Sequence, residues 1–363
     1  MVKPLEGLLV VSLEQAVAAP MASRRLADAG ARVIKLERPE GDFARGYDAV
    51  VNGLSSYFVW LNRGKESVIV DLSRAEDRAL FEELLDRADV FIQNLKPGAL
   101  ARLGYPIEEL TKRHERLIVC SISGYGDTGP YAERKAYDLL IQAESGLASV
   151  TGGPEAPARV GVSVVDIAAG MNAYEAILEA LITRGKTGRG ADIRVSMFDC
   201  MAEWMSVPLL QGENGFPPKR AGLAHVSISP YGVFQTADGV PILISIQSDR
   251  EWAKLCREVL EKPELATDPR FATNVARVKN RPETDGTVAA WFAARDHESA
   301  IARLAAADIA FARVNDVYSL STHPQLRRIT VGTEKGAVRM PAPGVQLAGT
   351  TPEFGRASCR ERV

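Results

Sequence analysis

The sequence predicts an α/β protein, with an open, largely parallel sheet in a large domain and a smaller α+β domain. Short β-branched runs alternate with amphipathic helical patterns through the first half of the chain. The chain of 363 residues is too long for one small core, so two domains, or one large and one small, are expected. A segment rich in glycine and proline, QGENGFPPKRA at 211–221, precedes a stretch of different character.

Six short runs rich in Val, Ile and Leu predict the strands of the large domain. They span 8–13, 32–37, 67–72, 89–95, 117–123 and 191–197. The helical patterns between them include PMASRRLADAG, in which Pro20 suits a first turn, and RAEDRALFEELLDRA, which is apolar on one face. A long helix is expected at 167–184, ended by GKTGRG.

These elements place the large domain at 1–210, completed by 321–363. A linker is expected at 211–221 and the small domain at 222–320. Within the small domain, the stretch 227–246 predicts a β-hairpin that turns at Ala237, Asp238 and Gly239.

Composition argues against several classes of partner. Acidic and basic residues nearly cancel, leaving a net charge of −2, so nucleic acid is not expected as a partner. The sequence has no apolar run of about 18 residues, so a membrane span is not expected. The four cysteines form no C-x-x-C pair, and no two of the four histidines are spaced at i, i+4, so we expect no metal site. The scattered cysteines also predict a reducing, cytoplasmic location.

The stretch GYGDTGP at 124–130 matches the glycine spacing of a dinucleotide-binding turn. Such a turn belongs after the first strand and directly opens a helix. Here the glycines follow the fifth predicted strand, and Pro130 comes directly after the third glycine. A glycine-rich turn that serves another purpose is the better interpretation.

Asp166 lies between the apolar run RVGVSVV and the long predicted helix. An aspartate at this position is typical of an N-cap. The same position would also keep a carboxylate ionised and aimed outward, as a nucleophile requires, so both interpretations stay open. The small residues Ala168, Ala169 and Gly170 would let a bulky substrate approach.

Basic residues lie close to the ends of several predicted strands, where open α/β sheets bind ligands. They are Arg38, Arg74, Lys96, Arg102 and Lys135. Each could contact a phosphate or be an ordinary solvated side chain. The sequence contains no G-x-S-x-G motif, so a serine hydrolase is not expected.

Taken together, the chain resembles the class III CoA-transferases, the CaiB/BaiF-like family of formyl-CoA and carnitine CoA-transferases. The resemblance rests on LADAGARVIKLERPEGDFAR, NLKPGALARLG, SISGYGDTGPYAERKAYD, VSVVDIAAG and GKTGRGADIRVSMFD, in the family's order. It implies a Rossmann-like large domain and an interlocked homodimer. It also implies that coenzyme A enters as a substrate thioester, with no permanently bound cofactor.

The resemblance further implies which residues form the site. The nucleophilic aspartate falls on Asp166. The CoA-contacting positions fall on Ala16, Ala18, Arg38, Asn94, Leu95, Arg102, Lys135, Tyr137 and Met197. Arg38 would meet the nucleotide phosphates and Arg102 the 3′-phosphate region, whereas Ser73 replaces a lysine found in some members.

The implied reaction passes through a mixed anhydride and an aspartyl-CoA thioester, with backbone N–H groups at the helix start available for the oxyanions. The racemases of the same fold carry a histidine where this chain has Tyr137, which favours transfer over proton abstraction. Racemisation, intramolecular CoA transfer and CoA-thioester binding without turnover stay open as alternatives.

The acceptor is expected to be a dicarboxylate, with succinyl-CoA or a similar donor, because the run of glycines typical of formate and oxalate transferases is missing around 222–232. Arg45, Arg220 and His225 are the candidates for holding a distal carboxylate. The final SCRERV, including Cys359, departs from the family's usual ending and is expected to have no functional role.

Overall fold

The computed structural model describes residues 3–346, 355 and 360–361. Cys359, for which no functional role is expected, lies outside them. Two compact units are present. The second comprises Ala148–Ala158 and Pro208–Leu326, and the first comprises the rest of the chain. The second unit thus begins before the predicted boundary at 222 and includes a short segment from the middle of the large domain.

A parallel sheet forms the centre of the first unit, with strand order β3-β2-β1-β4-β5-β6. Its strands are β1 Leu9–Leu13, β2 Arg32–Glu37, β3 Lys65–Ile69, β4 Val90–Gln93, β5 Ile118–Ser123 and β6 Ala191–Ser196. The direction in which strands are added reverses between β1 and β4. A crevice opens at the carboxyl ends of the strands at such a switch point.

Helices cover both faces of this sheet. They are α1 Ala18–Asp28, α2 Ser56–Leu61, α3 Ala75–Arg87, α4 Ala99–Arg102, α5 Ile107–Arg113, α6 Asp138–Glu144, α8 Val164–Thr187 and α9 Met197–Trp204. Two further helices, α7 Leu147–Val150 and α10 Ser206–Glu213, belong mostly to the second unit. Alternate strand residues point to opposite faces. Val10 therefore lies in the core shared with α1 and α8, whereas Val11 lies in the core shared with α3.

The third strand begins two residues before its predicted start. Lys65 and Glu66 look like a charged loop in the sequence, yet Lys65 is buried and Glu66 lies in the ladder with β2. The prediction failed because a buried lysine is rare unless it is paired.

The small residues after Asp166 are buried in a helix contact, which corrects the prediction that they admit a substrate. Ala168 and Ala169 are buried, and a Cβ on Gly170 would lie 2.6 Å from the Ala18 carbonyl oxygen and 2.6 Å from Met21 Cβ. Gly170 therefore allows α8 to approach α1 closely.

The second unit contains an antiparallel sheet in the order β7-β8-β9, with β7 Tyr231–Gln235, β8 Pro241–Ser245 and β9 Ala310–Arg313. The predicted hairpin is present and Gly239 has φ +77° at its turn. The helices are α11 Asp249–Lys254, α12 Asn274–Lys279, α13 Arg281–Ala293, α14 His297–Ala306 and α15 Val317–Ser321, and α11 runs into a π-helical turn, Leu255–Val259.

The chain then returns to the first unit. The hairpin of β10 Arg328–Thr333 and β11 Gly336–Pro341 packs Val331 and Met340 against Val59 of α2. The short strand β12 Arg360–Glu361 pairs in parallel with β3 at the sheet edge.

Candidate active site

The switch point of the sheet is bordered by the turns after β1 and β4. Asn94 joins them, because its Oδ1 accepts from the Gln15 backbone N–H at 3.0 Å and its Nδ2 donates to the Gln15 carbonyl at 2.9 Å. Both hydrogen-bonding functions of this amide are used by the neighbouring turn. The predicted CoA-contacting residue Asn94 therefore also fixes the shape of the first turn.

The first turn has an unusual backbone at Ala16, which has φ +62°. Left-handed conformations are unfavourable for residues with a Cβ, and they occur mainly at functional sites. The Ala16 N–H donates to Asp42 Oδ1 at 3.1 Å, and the same oxygen accepts from the Ala44 N–H at 2.9 Å. Asp42 thus connects the turn after β1 to a 3₁₀ turn at Phe43–Gly46.

Buried charges lie beneath this turn and were not predicted from the sequence. Lys65 Nζ contacts Glu14 Oε1 at 2.6 Å, and Lys35 Nζ contacts Asp42 Oδ2 at 2.7 Å. Burial raises the pKa of Glu14, but the two ammonium groups outweigh it and lower that pKa to about 2. Burial lowers the pKa of Lys65 to about 7, against the attraction of Glu14.

Asp166 lies in the first turn of α8, two residues after the helix begins. The N-cap position belongs to Ser163, whose side chain makes no capping hydrogen bond. A carboxylate from a different helix does so instead: Asp138 Oδ1 accepts from the Val165 N–H at 2.8 Å and from the Asp166 N–H at 3.4 Å. The predicted N-cap role of Asp166 is therefore wrong.

The side chain of Asp166 is partly buried, and burial raises its pKa to about 7, with the negative charge of Asp138 adding to the effect. The expectation that this carboxylate stays fully ionised is therefore also wrong. Near neutral pH, the protonated and ionised forms have similar populations. An ionised Asp166 is destabilised by its surroundings and is correspondingly basic.

The backbone N–H groups at the start of α8 already have partners. Val165 and Asp166 donate to Asp138, and Val164 and Ile167 donate to the carbonyls of Val162 and Ser163. These groups are thus not open donors for an oxyanion, contrary to the prediction.

Aromatic side chains form an unpredicted wall near Asp166. Phe43, Tyr47, Tyr57 and Trp60 follow one another with ring centroids 5.8, 5.4 and 6.3 Å apart. Burial raises the pKa of Tyr47 to about 12, with the carboxylates of Asp42 and Asp166 adding to the effect, so its phenol stays neutral. The only sequence signal for this wall is the density of aromatic residues in FARGYD and SYFVW.

The remaining predicted CoA positions divide by exposure. Arg38, Arg102, Lys135 and Tyr137 are exposed, whereas Leu95 is partly buried. Ala18 and Met197 are 2% and 7% exposed. Because the side chains of Ala18 and Met197 are packed in the core, they offer little surface to a ligand. Arg38 directly follows β2, and Tyr137 is the residue before α6.

The candidates for a distal carboxylate have internal partners instead. Arg45 Nε and Nη2 donate to Glu37 at 2.8 and 2.6 Å, and its guanidinium stacks 3.7 Å from the Phe58 ring centroid. In the second unit, Arg220 donates to the carbonyls of Ser149, Gly153 and Pro154. These contacts give both arginines a structural role, and their predicted contact with a distal carboxylate stays a prediction.

His225, in the second unit, stacks on Tyr231 with centroids 5.4 Å apart and accepts from the Ser227 N–H through Nδ1. Other candidate groups are also paired. Ser73 donates to Asp71 at 2.7 Å, Arg74 contacts Glu76 at 3.0 Å and Lys96 contacts Glu133 at 3.3 Å.

The glycine-rich turn after β5 serves close packing. A Cβ on Gly124 would lie 2.1 Å from Ala136 Cβ, so only glycine lets the segment before α6 lie against this strand end. Gly126 and Gly129 have φ +81° and +90°. The turn thus places Lys135 and Tyr137 at the carboxyl edge of the sheet.

Two classes of feature are not found among residues 3–346, 355 and 360–361. Within these ranges, no three His, Cys, Asp or Glu side chains are grouped to hold a metal ion. In the same part of the chain, no helix has both the length and the apolar character needed to cross a bilayer.

Residues 5–358 match the sequence model of CoA-transferase family III. The acetyl-CoA:oxalate CoA-transferase of Acetobacter aceti is 37% identical over 350 residues, covering 95% of this chain and 90% of the relative. The succinyl-CoA:glutarate CoA-transferase of Mus musculus is 34% identical, covering 95% and 81%. The crystal structure of a CaiB/BaiF family protein from Brucella suis matches with 35% identity and a TM-score of 0.83, covering 98% and 96%.

Proposed function

The chain belongs to CoA-transferase family III, and from this premise we propose that it transfers CoA from an acyl-CoA donor to a dicarboxylic acid through Asp166. The observation that carries the proposal is the Asp166 carboxyl at the start of α8, partly buried and with its pKa raised to about 7. Such a group is a stronger nucleophile when ionised than an ordinary aspartate.

The reaction begins when an Asp166 carboxylate oxygen attacks the donor thioester carbonyl. The C–S bond breaks and CoA leaves as a thiolate, so that a mixed anhydride forms on Asp166. The thiolate then attacks the aspartyl carbonyl of that anhydride. The donor acid leaves as a carboxylate, and an aspartyl-CoA thioester remains.

The acceptor carboxylate attacks this thioester and releases the thiolate again, forming a second mixed anhydride. The thiolate attacks the acceptor's acyl carbonyl, and Asp166 leaves as a carboxylate. The new acyl-CoA is thus complete, and Asp166 regains its starting form. Water must be excluded while an anhydride exists, and the aromatic wall from Phe43 to Trp60 would contribute to this.

Several positions would hold the CoA moiety. The first turn, with its left-handed Ala16, would present backbone to the ligand, and Arg38 and Arg102 would offer exposed guanidinium groups to phosphates. Lys135 and Tyr137, on the segment packed against Gly124, would border the pantetheine arm.

The dicarboxylate acceptor is supported by relatives whose names specify oxalate and glutarate. A panel of acceptors with succinyl-CoA and acetyl-CoA as donors tests it. We expect CoA to pass to dicarboxylic acids of two to six carbons and poorly to monocarboxylic acids of matched length. Turnover with monocarboxylates alone would overturn this part of the proposal.

We also propose that the active form is the interlocked homodimer typical of the family. Apolar side chains exposed on the first unit support this, among them Leu139, Leu140, Val162 and Ile182. Light scattering at micromolar concentration should give the mass of a dimer. A monomer at that concentration with full activity would contradict it.

A further inference from the structure

We propose that Asp138 is a positioning residue for the transfer reaction, because its carboxylate caps the helix that carries Asp166 and places a second negative charge beside it. The proposal rests on the proposed role of Asp166 as nucleophile. Asp138 is the first residue of α6 and lies 28 positions before Asp166 in the sequence. The pairing therefore arises only from the fold.

The capping contact fixes the backbone of the nucleophile. Asp138 Oδ1 accepts from the Val165 N–H at 2.8 Å and, over a longer 3.4 Å, from the Asp166 N–H. The Ser163 side chain does not cap α8, so the carboxylate from α6 supplies that hydrogen bond. The position of Asp166 is thereby tied to the start of α6, directly after Tyr137.

Gln142 holds the other oxygen of Asp138. Its Nε2 donates to Asp138 Oδ2 at 2.7 Å, and its Oε1 accepts from the Val160 N–H at 2.8 Å. Gln142 is fully buried. Both carboxylate oxygens are thus held by hydrogen bonds, and no ion pair among the described residues neutralises Asp138.

The groups around Asp166 include no neutralising cation in the part of the chain that the structure describes. Asp138 faces it from α6, and Tyr47, whose pKa is raised partly by Asp166 itself, faces it from the segment after the 3₁₀ turn. Tyr137 lies close to Tyr47. The Tyr57 hydroxyl oxygen of α2 lies 3.5 Å from Ser163 Oγ. The positive end of the α8 dipole acts in the opposite direction.

This arrangement has a chemical consequence for acylation. When Asp166 attacks the thioester, its negative charge passes to the CoA thiolate, and the repulsion between Asp166 and Asp138 is relieved. Asp138 therefore makes Asp166 a more basic nucleophile, at the cost of a smaller ionised fraction below neutral pH.

The test separates charge from capping. Asp138→Asn keeps an oxygen that accepts from the Val165 N–H but removes the charge and the acceptor for Gln142 Nε2. Asp138→Ser is a second neutral variant, and its shorter side chain removes the cap as well as the charge. Asp77→Asn is the matched control. Asp77 lies on α3, and its Oδ2 likewise accepts from a backbone N–H, that of Asp71, at 2.7 Å.

The first readout is a titration of the Asp166 carboxyl by ¹³C NMR, which needs no turnover. We expect the Asp138→Asn midpoint to lie about one pH unit below that of the wild type, since a neighbouring like charge has been removed. The Asp77→Asn midpoint should be unchanged. An unchanged midpoint in both folded neutral variants would overturn the proposal.

The second readout is the pH profile of kcat/KM with succinyl-CoA. The rising limb should move to lower pH in Asp138→Asn, and the plateau should fall roughly threefold as Asp166 becomes less basic. If the NMR midpoint moves but the wild type forms no covalent intermediate on Asp166, the electrostatic role of Asp138 stands and the proposed function fails.

Discussion

Lys65 Nζ lies 2.6 Å from Glu14 Oε1, and both side chains are completely buried below the turn that follows β1. Lys65 also donates to the Pro20 carbonyl and to Asn62, and Glu14 accepts from Ser12 and Ser23. The pair therefore joins β1, α1 and β3 beneath the proposed CoA site.

Lys65→Met should destabilise the protein by about 3 kcal/mol, because among the described residues it leaves Glu14 with only the more distant Lys35 as a charged partner. Urea unfolding at constant pH measures the change. Replacing Glu14 with leucine in the same chain should recover most of the loss. A single-variant cost below about 1 kcal/mol would show that the pair does not stabilise this turn.

Asp166→Asn should stabilise the protein more at pH 8 than at pH 5. The folded pKa of Asp166 is raised to about 7 from 3.8, so its contribution to stability is fully present below the unfolded pKa and is lost as the pH rises through about 7. The loss has an upper bound of about 4 kcal/mol. Thermal unfolding at both pH values checks this, and a difference between variant and wild type that does not change with pH would contradict it.

Gly170→Ala should destabilise the protein by about 1–3 kcal/mol, because the new Cβ would overlap the Ala18 carbonyl and Met21. Gly185→Ala on the same helix is the matched control, since a Cβ there meets nothing within 4 Å. The control should gain up to about 1 kcal/mol from helix propensity. Equal effects of the two changes in denaturant unfolding would argue against close packing of α8 on α1.

Gly124→Ala should weaken CoA binding while leaving the chain folded, because it displaces Ala136 and with it the neighbouring Lys135 and Tyr137. Titration calorimetry with CoA measures the dissociation constant, which we expect to rise at least about tenfold, or about 1.4 kcal/mol. Gly161→Ala, in open space, is the control. Wild-type affinity in folded Gly124→Ala would place the CoA site away from this segment.

The sequence predicted the alternation of strands and helices, because buried parallel strands have continuous β-branched runs and their helices have one apolar face. It could not predict that Lys65 is a strand residue, because a buried lysine resembles a loop residue until its partner Glu14 is known. The role of Arg45 was missed for the same reason: its partner Glu37 appears only when β2 and the 3₁₀ turn are folded together.

The sequence singled out Asp166, whose role as nucleophile stays a prediction, but not the groups that surround it. Asp166 stands out by position, yet its N-cap role and its constant ionisation were both wrong. The carboxylate that caps α8 comes from Asp138, and such a long-range contact leaves no local pattern in the sequence. The wall of Phe43, Tyr47, Tyr57 and Trp60 likewise forms only when two separate segments meet.

In the proposed reaction, Asp166 carries the CoA group during transfer. The protein is incubated with succinyl-CoA and hydroxylamine, digested and analysed by peptide mass spectrometry, with Asp166→Asn as the control. We predict a hydroxamate on Asp166 in the wild type and none in the control. Unmodified Asp166 during continued turnover would contradict this role, and exchange of the substrate α-proton with solvent deuterium would then indicate the racemase alternative.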